Sequence, residues 1–380
     1  MPSWQTENVR TVGVEEELLL VDAESGRPRS VAGRILRQDA SRREEREAES
    51  GPGGSLEHEL QQQQVETGTP PRTLMGDIES DLKSWRQTAI TLARRAGARV
   101  IASGTSPLPV EPRLFRDPRY ERMAERFGIT TNEHLTCACH VHVSVSSDDE
   151  GVGVIDRIRS WLHPLLALSA NSPFWQGMDT GYASFRSQAM ARWPSAGPTG
   201  VFDSVAAYRE LVAGMVESGV LLDEGMVYFD ARLSHRYPTV EIRVPDVCAD
   251  TRDAVLVAAL CRALVDTAAA EWAAGEPPLP VRTAMLRIAS WKASRHGLDD
   301  DLLDPRDLRP RPAREVIEAL VEHVRPALTA NGDEALVDQQ IDEVLARGNG
   351  ASRQRATLER TGQLADVVAE LARVTAGHDL

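Results

Sequence analysis

The sequence predicts a sheet-and-helix fold, α/β or α+β, in a chain whose 380 residues suffice for one large core or two smaller ones. Three observations carry that reading. The stretch Cys139-His140-Val141-His142-Val143-Ser144-Val145 alternates, so that His140, His142 and Ser144 share one side of a strand and Val141, Val143 and Val145 the other. Val14-Glu15-Glu16-Glu17-Leu18 and Val240-Glu241-Ile242-Arg243-Val244 repeat the pattern at great distance along the chain. Between and beyond them run segments with apolar residues at three- and four-residue spacing, the mark of packing helices. If the three strands share one sheet, carboxylates, imidazoles and a guanidinium gather on a single surface. No internal repeat and no clean linker divides the chain, so it is expected to form one domain over residues 1–380.

Composition narrows the function. Hydrophobic residues at 42% and charged residues at 26% are ordinary for a soluble globular protein, and the net charge of −14 without a long Lys/Arg block argues against nucleic acid as a partner. The start lacks the apolar run of a signal peptide, and no segment approaches the ~20 apolar residues needed to span a bilayer. No membrane association and a cytoplasmic location are therefore expected. Four cysteines in so long a chain, Cys137, Cys139, Cys248 and Cys261, are expected to be free thiols.

Taken in order, residues 11–21 read as a strand with Glu15 and Glu17 facing one way and Val12, Val14, Glu16, Leu18 and Leu20 the other. A lone Glu-x-Glu is more often a solvated edge, but the long apolar continuation argues for burial, where two carboxylates need cations. Residues 22–54 turn polar, with a helix near Val31–Leu36 and a charged, Gly-rich mobile loop. Residues 55–68 return as a strand that offers Glu59 and Glu66, its alternation blurred by Gln61 to Gln64 and open to a bulge. After Pro70-Pro71 comes a helix with the stripe Leu74, Ile78, Leu82, Trp85, Ala89 and Leu92. Val100–Gly104 is a short strand, Asp117–Phe127 a helix, 151–170 an amphipathic helix and 202–218 another. The intervening Gly/Pro/Arg loop with Arg186 and Arg192 has the composition of a functional loop. Residues 227–245 read as a hairpin of Val227–Arg232 and Thr239–Val244. From there the chain reads as helical to its end, with a buried helix over 253–273 and amphipathic helices over 281–296, 313–329, 334–346 and 353–374. Trp291, Lys292 and Arg295 are within possible reach of the site.

Cys137, Cys139, His140 and His142 fall within six residues and alternate in direction, so one tetrahedral zinc ion does not collect them. Carboxylates with imidazole instead make a hard-ligand set for Mg²⁺ or Mn²⁺, and ions of that kind bridge nucleotide phosphates. Arginines at 186, 192, 232 and 243 suit phosphates or a substrate carboxylate. There is no Walker loop and no dinucleotide-binding glycine motif.

The strings GVEEELLLVD, HELQQQQVETGT, CHVHVSV, NSPFWQGMDTGYASFRSQAMARWPSAGP, YFDARLSHRYPTVEIRVPDVC and SWKASRHGLD, in this order, resemble the carboxylate-amine ligases related to glutamate-cysteine ligase type 2. The resemblance spans roughly residues 10–300, leaving a helical part over 301–380. It implies an α+β fold like that of glutamine synthetase: a curved, mostly antiparallel sheet of about six strands, helices on its back, and a concave face for ATP, divalent metals and an amino acid. It implies that the γ-phosphoryl of ATP passes to a carboxylate and that an amine attacks the acyl phosphate. It assigns Glu15, Glu17, Glu66, His140 and Glu241 as metal ligands, His142 and Arg186 as substrate or nucleotide contacts, and Arg232 and Arg243 as the catalytic cations at the transferred phosphoryl group, with Glu59 and Arg192 as weaker candidates. The partners implied are an amino acid and an amine, with a homodimer as a family habit. Tyr237-Pro238, where similar proteins more often carry Phe-Gly, leaves the choice of acid and amine open. An amino-acid or guanidino kinase on the same ligands, or a non-catalytic nucleotide- or metal-binding relative, are the alternatives. Glu241→Gln is expected on this reading to weaken metal–nucleotide binding with little loss of folding.

Overall fold

The computed structural model describes residues 9–44 and 56–377; the charged and Gly-rich segment between them, expected as a mobile loop, lies outside the described residues. The strands in chain order are β1 (Val12–Asp22), β2 (Leu56–His58), β3 (Gln64–Gly68), β4 (Ala98–Ile101), β5 (Cys139–Ser144), β6 (Phe174–Trp175), β7 (Met178–Asp179), β8 (Ala231–Leu233), β9 (Thr239–Ile242), β10 (Asp301–Leu303) and β11 (Pro310–Pro312). Seven of them form the main sheet in the order β2-β3-β1-β5-β9-β8, with β4 also paired to β1. Every pairing is antiparallel. The α+β expectation holds, with seven strands in place of about six.

β1 organises the sheet because it is long enough to hold three partners. One edge pairs with β3 over Glu15–Leu19. The other pairs first with β5 over Val12–Glu16 and then with β4 over Leu19–Asp22. Its apolar side chains serve two separate clusters: Val12 and Val14 pack with Val141, Val143, Val240 and Ile242, whereas Leu18 to Val21 pack with Val65, Leu92, Val100, Ile101 and Leu371. Behind the first cluster lies helix Thr251–Ala273, buried on most sides, against which helices Asp148–Ile158, Ala313–Asn331, Glu334–Arg347 and Met75–Arg95 pack.

Glu16 points to this back layer, where it is wholly buried and held by Arg86 of helix Met75–Arg95. Arg86 Nε donates to Glu16 Oε2 at 2.9 Å and Nη2 to Oε1 at 2.5 Å, while its remaining N–H groups reach the carbonyls of Cys248 and Ala249. A charge in an apolar layer needs such a partner, and all three nitrogens of the guanidinium are engaged.

The structure corrects several boundaries. The strand expected over 55–68 breaks into β2 and β3 around a turn, because the four glutamines turn aside: Gln61, Gln62, Gln63 and Gln64 each donate a side-chain N–H to a backbone carbonyl, of Thr131, Leu114, Glu111 and Thr136 respectively. Leu74 stands at the entry of its helix and is exposed. The helix expected over 151–170 is two helices, Asp148–Ile158 and Leu162–Ser169, and the second is buried all round, not amphipathic. The helix expected over 353–374 stops at Gly362, whose φ of 69° ends Gly350–Thr361 before Leu364–Thr375 begins. The part beyond residue 300, expected to be helical throughout, opens with the β10–β11 hairpin.

Candidate active site

Antiparallel registration places the chemical residues side by side. Paired residues project to the same face, so Gly13 opposite His142, Glu15 opposite His140 and Glu17 opposite Glu66 fix one front surface. The rows extend outward, with His142 opposite Glu241 and Glu241 opposite Arg232 on one side, and Glu66 opposite Glu57 on the other. This surface floors a cavity of about 1000 Å³, walled by helix Pro118–Phe127 and the segment 223–239.

Glu15 is the centre of the cavity floor. Its Oε2 lies 3.3 Å from His142 Nε2 and 3.7 Å from His140 Nδ1, and His140 Nδ1 is 4.0 Å from Glu241 Oε1. Two groups of ligand atoms gather within 4.8 Å of one another, Glu15 with His142 and Glu241, and Glu15 with Glu66 and His140. The Nε2 atoms of both histidines are buried without a hydrogen-bond partner, the 3.3 Å contact being off the hydrogen-bond direction. Unpaired imidazole nitrogens among carboxylate oxygens fit divalent cations with hard ligands.

Electrostatics agree with that fit. Burial pushes Glu59 up to about 8, with the charge of Glu17 adding to it. Burial also drives Glu66 well above the ordinary carboxylate range, helped first by Glu15. Glu15 itself, although burial opposes ionisation, is held well below that range by His140 and His142. Burial lowers His140, assisted by Arg243, whereas for His142 the pull of Glu15 outweighs burial and raises it. The floor thus retains protons on some carboxylates until other positive charge replaces them.

Glu241 is the most committed of the candidate ligands. Arg232 Nε donates to its Oε2 at 2.7 Å and Nη2 to its Oε1 at 3.2 Å, and Arg243 Nη1 contacts the same Oε1. Burial opposes its charge, yet Arg243 and then Arg232 hold it well below the usual range. A cation at Glu241 has to compete with, or displace, a guanidinium. These contacts argue against the expectation that Glu241→Gln spares folding, since a neutral amide leaves two largely buried guanidiniums without their counter-charge.

The remaining candidates fall as follows. Glu17 lines the cavity and accepts the backbone N–H of Ala138 at 2.7 Å. Glu59 and Glu66 line it as well. Arg186 lines it and is buried, its two terminal nitrogens bonded to the carbonyls of Val244 and Arg243. Arg192 lies elsewhere: it pairs with Glu133 at 2.9 Å and sits over the ring of Trp175. Trp291 is half exposed and donates to Tyr182, and Arg295 sits over the Tyr182 ring, so neither reaches the cavity. All four cysteines are buried free thiols. The sequence reading missed Arg119, Tyr120 and Tyr228, which also line the cavity, and the bidentate pair of Arg119 with Asp223 at 2.7 and 2.9 Å that closes its wall. Asp117-Pro118 signalled that helix, with Asp117 capping it, but no local pattern says which face of one turn meets a distant loop.

The model of glutamate-cysteine ligase family 2 matches residues 11–370. The chain belongs to this family. A Streptomyces avermitilis protein provisionally named glutamate–cysteine ligase 2-1 is 51% identical over 369 residues, covering 97% of this chain and 100% of its own length. A Streptomyces coelicolor relative with the corresponding provisional name is 49% identical over 367 residues, 97% of this chain and 99% of the relative. Among solved structures, a glutamate–cysteine ligase from Francisella tularensis in complex with AMP superposes with a TM-score of 0.69 at 12% identity, covering 97% of this chain and 88% of that one. A bifunctional glutathione synthetase from Pasteurella multocida gives 0.66 at 16% identity, with 97% of this chain matching 53% of that longer one. At such identities the likeness shows a shared fold alone, the one with the mostly antiparallel sheet described above. Among the described residues no helix is long and apolar enough to cross a membrane.

Proposed function

We propose that this family member is an ATP-dependent carboxylate–amine ligase of the glutamate–cysteine ligase type, acting in the cytoplasm on an amino acid and an amine through an acyl phosphate. The observation that carries the reading is the pair of ligand groups sharing Glu15, set on a cavity floor beside Arg232 and Arg243. The names of the relatives and the AMP bound by the Francisella enzyme support it.

Glu15, Glu66 and His140 would hold one divalent ion and Glu15 and His142 a second, with Glu17 adjacent and Glu241 joining the second only by giving up one of its guanidinium contacts. Such ions offset charge on phosphate oxygens as the γ-phosphoryl group moves. The chain's own contribution is positional. Glu241 fixes Arg232 and Arg243 over the floor, Arg186 fixes the backbone of Arg243 from behind, and an incoming carboxylate and phosphoryl group meet two preset guanidiniums. Helix Pro118–Phe127 and segment 223–239 wall the floor, leaving a cavity of about 1000 Å³ in which an acid and a nucleotide can lie side by side.

Amino acids crossed with amines, read by ADP release and product mass, test this. An amide formed with stoichiometric ADP and phosphate is expected. A phosphorylated acid without amide would make the protein a kinase, and no amine-stimulated turnover with any pair would make it a binding protein.

A further inference from the structure

At the end of the cavity beyond Glu17, three residues outside the proposed metal and phosphoryl machinery form a directed hydrogen-bond chain. The Trp193 indole N–H donates to His134 Nδ1 at 3.3 Å, and His134 Nε2 lies 3.1 Å from Thr136 Oγ1. An indole N–H can only donate, so Nδ1 must carry its lone pair, and the hydrogen-bond network assigns the imidazole proton to Nε2. That proton is donated to Thr136 Oγ1. The threonine hydroxyl, having accepted, keeps its own proton, and among the described residues no protein acceptor takes it.

The arrangement is built rather than incidental. Trp193 and Thr136 are 2% and 4% exposed, so neither is a solvated surface group. Trp193 stands edge-on to His134 at 84°, and Gln64 Nε2 grips the Thr136 carbonyl at 2.6 Å, fixing the backbone under the hydroxyl. All three members of the chain line the cavity. Burial, and after it the nearby charges of Arg186 and Arg192, push His134 down to about 3, so the ring is neutral.

We propose that Thr136 binds substrate directly, its hydroxyl preset by Trp193 and His134 to donate to an anionic oxygen, of the amino-acid carboxylate or of a nucleotide phosphate. The inference rests on the ligase reading, because that reading supplies the two anionic substrates. Donation from a preset hydroxyl to a charged acceptor contributes on the order of tenfold or more in affinity.

Isothermal titration with magnesium present, using L-glutamate and a non-hydrolysable ATP analogue as separate probes, distinguishes the sources. Thr136→Val keeps the shape and loses the hydroxyl. It is expected to weaken one probe by about tenfold or more and leave the other unchanged, with Thr136→Ser staying close to the parent. Trp193→Phe frees the tautomer and is expected to weaken the same probe by less. In ligand-free protein labelled with ¹⁵N-histidine, His134 is expected to carry its proton on Nε2 and to become a mixture in Trp193→Phe. Parent-like binding of both probes by Thr136→Val, equal weakening of both, or an Nδ1–H tautomer in the parent protein would each overturn the inference alone. Failure of the parent protein to bind either probe would overturn the ligase reading and this inference with it.

Discussion

Replacing Glu241 by glutamine removes one negative charge that two guanidiniums share. The carboxylate is 3% exposed and its partners Arg232 and Arg243 are 10% and 14% exposed, so solvent screens the loss little. Three charge-assisted contacts converge on two oxygens, and the glutamine retains one acceptor oxygen while presenting an N–H₂ group to a cation. Breaking a buried pair from one side costs about 3–5 kcal/mol, and the retained acceptor puts Glu241→Gln near about 3 kcal/mol. That is a large share of the ~5–15 kcal/mol that holds a typical domain folded. Denaturant unfolding in the presence of a chelator reads the cost without interference from bound ions. Adding Arg232→Met to Glu241→Gln removes one of the stranded cations, so the double variant is expected to lose less than the sum of the two singles. A single variant within about 0.5 kcal/mol of the parent, or strict additivity in the double, would show that Glu241 is not the counter-charge its contacts describe.

Other perturbations reach different parts of the molecule. Since the folded state raises Glu59 to about 8 and Glu66 well above its ordinary range, it binds more protons than the unfolded chain between about pH 5 and 8. The chelated protein is therefore expected to lose stability as pH rises through that window, by at most about 1.4 kcal/mol per pH unit per carboxyl, and saturating magnesium to flatten the slope. A flat profile without ions would remove the crowding argument. Arg86→Leu strands the buried charge of Glu16 and is expected to cost about 3–5 kcal/mol by denaturant titration, with Glu16→Leu in the same chain restoring much of it. A double variant no more stable than the single would contradict that account. Arg243→Lys keeps the charge but loses the planar fork, so turnover is expected to fall more than nucleotide affinity in parallel kinetic and equilibrium measurements. A normal rate would assign Arg243 to structure.

The front of the sheet was legible because alternation is local: a period of two in three short strings suffices to put Glu15, His140 and Glu241 on matching faces. What locality hides is pairing. Arg86 follows Trp85 in a helix whose apolar stripe is plain, yet its fork fills a gap between Glu16 and the carbonyls of residues 248 and 249, over 150 positions away. The four glutamines obscured the strand for a similar reason, since their purpose is met by carbonyls in the segment 111–136. Arg186 and Arg192 sit six positions apart, the first in the short helix Phe185–Met190 and the second in the turn after it, with the same chemistry available to them. Only the fold separates the one locked behind Arg243 from the one spent on Glu133. Gly362 was a breaker in plain view, and the apolar spacing on either side concealed it.

β1 leaves one apolar cluster and enters the other across Glu15, Glu16 and Glu17. Two of these glutamates open on the cavity and the third is anchored to a helix behind. The floor of the cavity is thus also the seam between the two halves of the interior. Whatever fastens Glu15 from the front acts one residue away from the carboxylate that Arg86 clasps from the rear, so both sides of the seam meet at the same few peptide units. A substitution there that tuned the chemistry would at the same time reset how tightly the halves are stitched together.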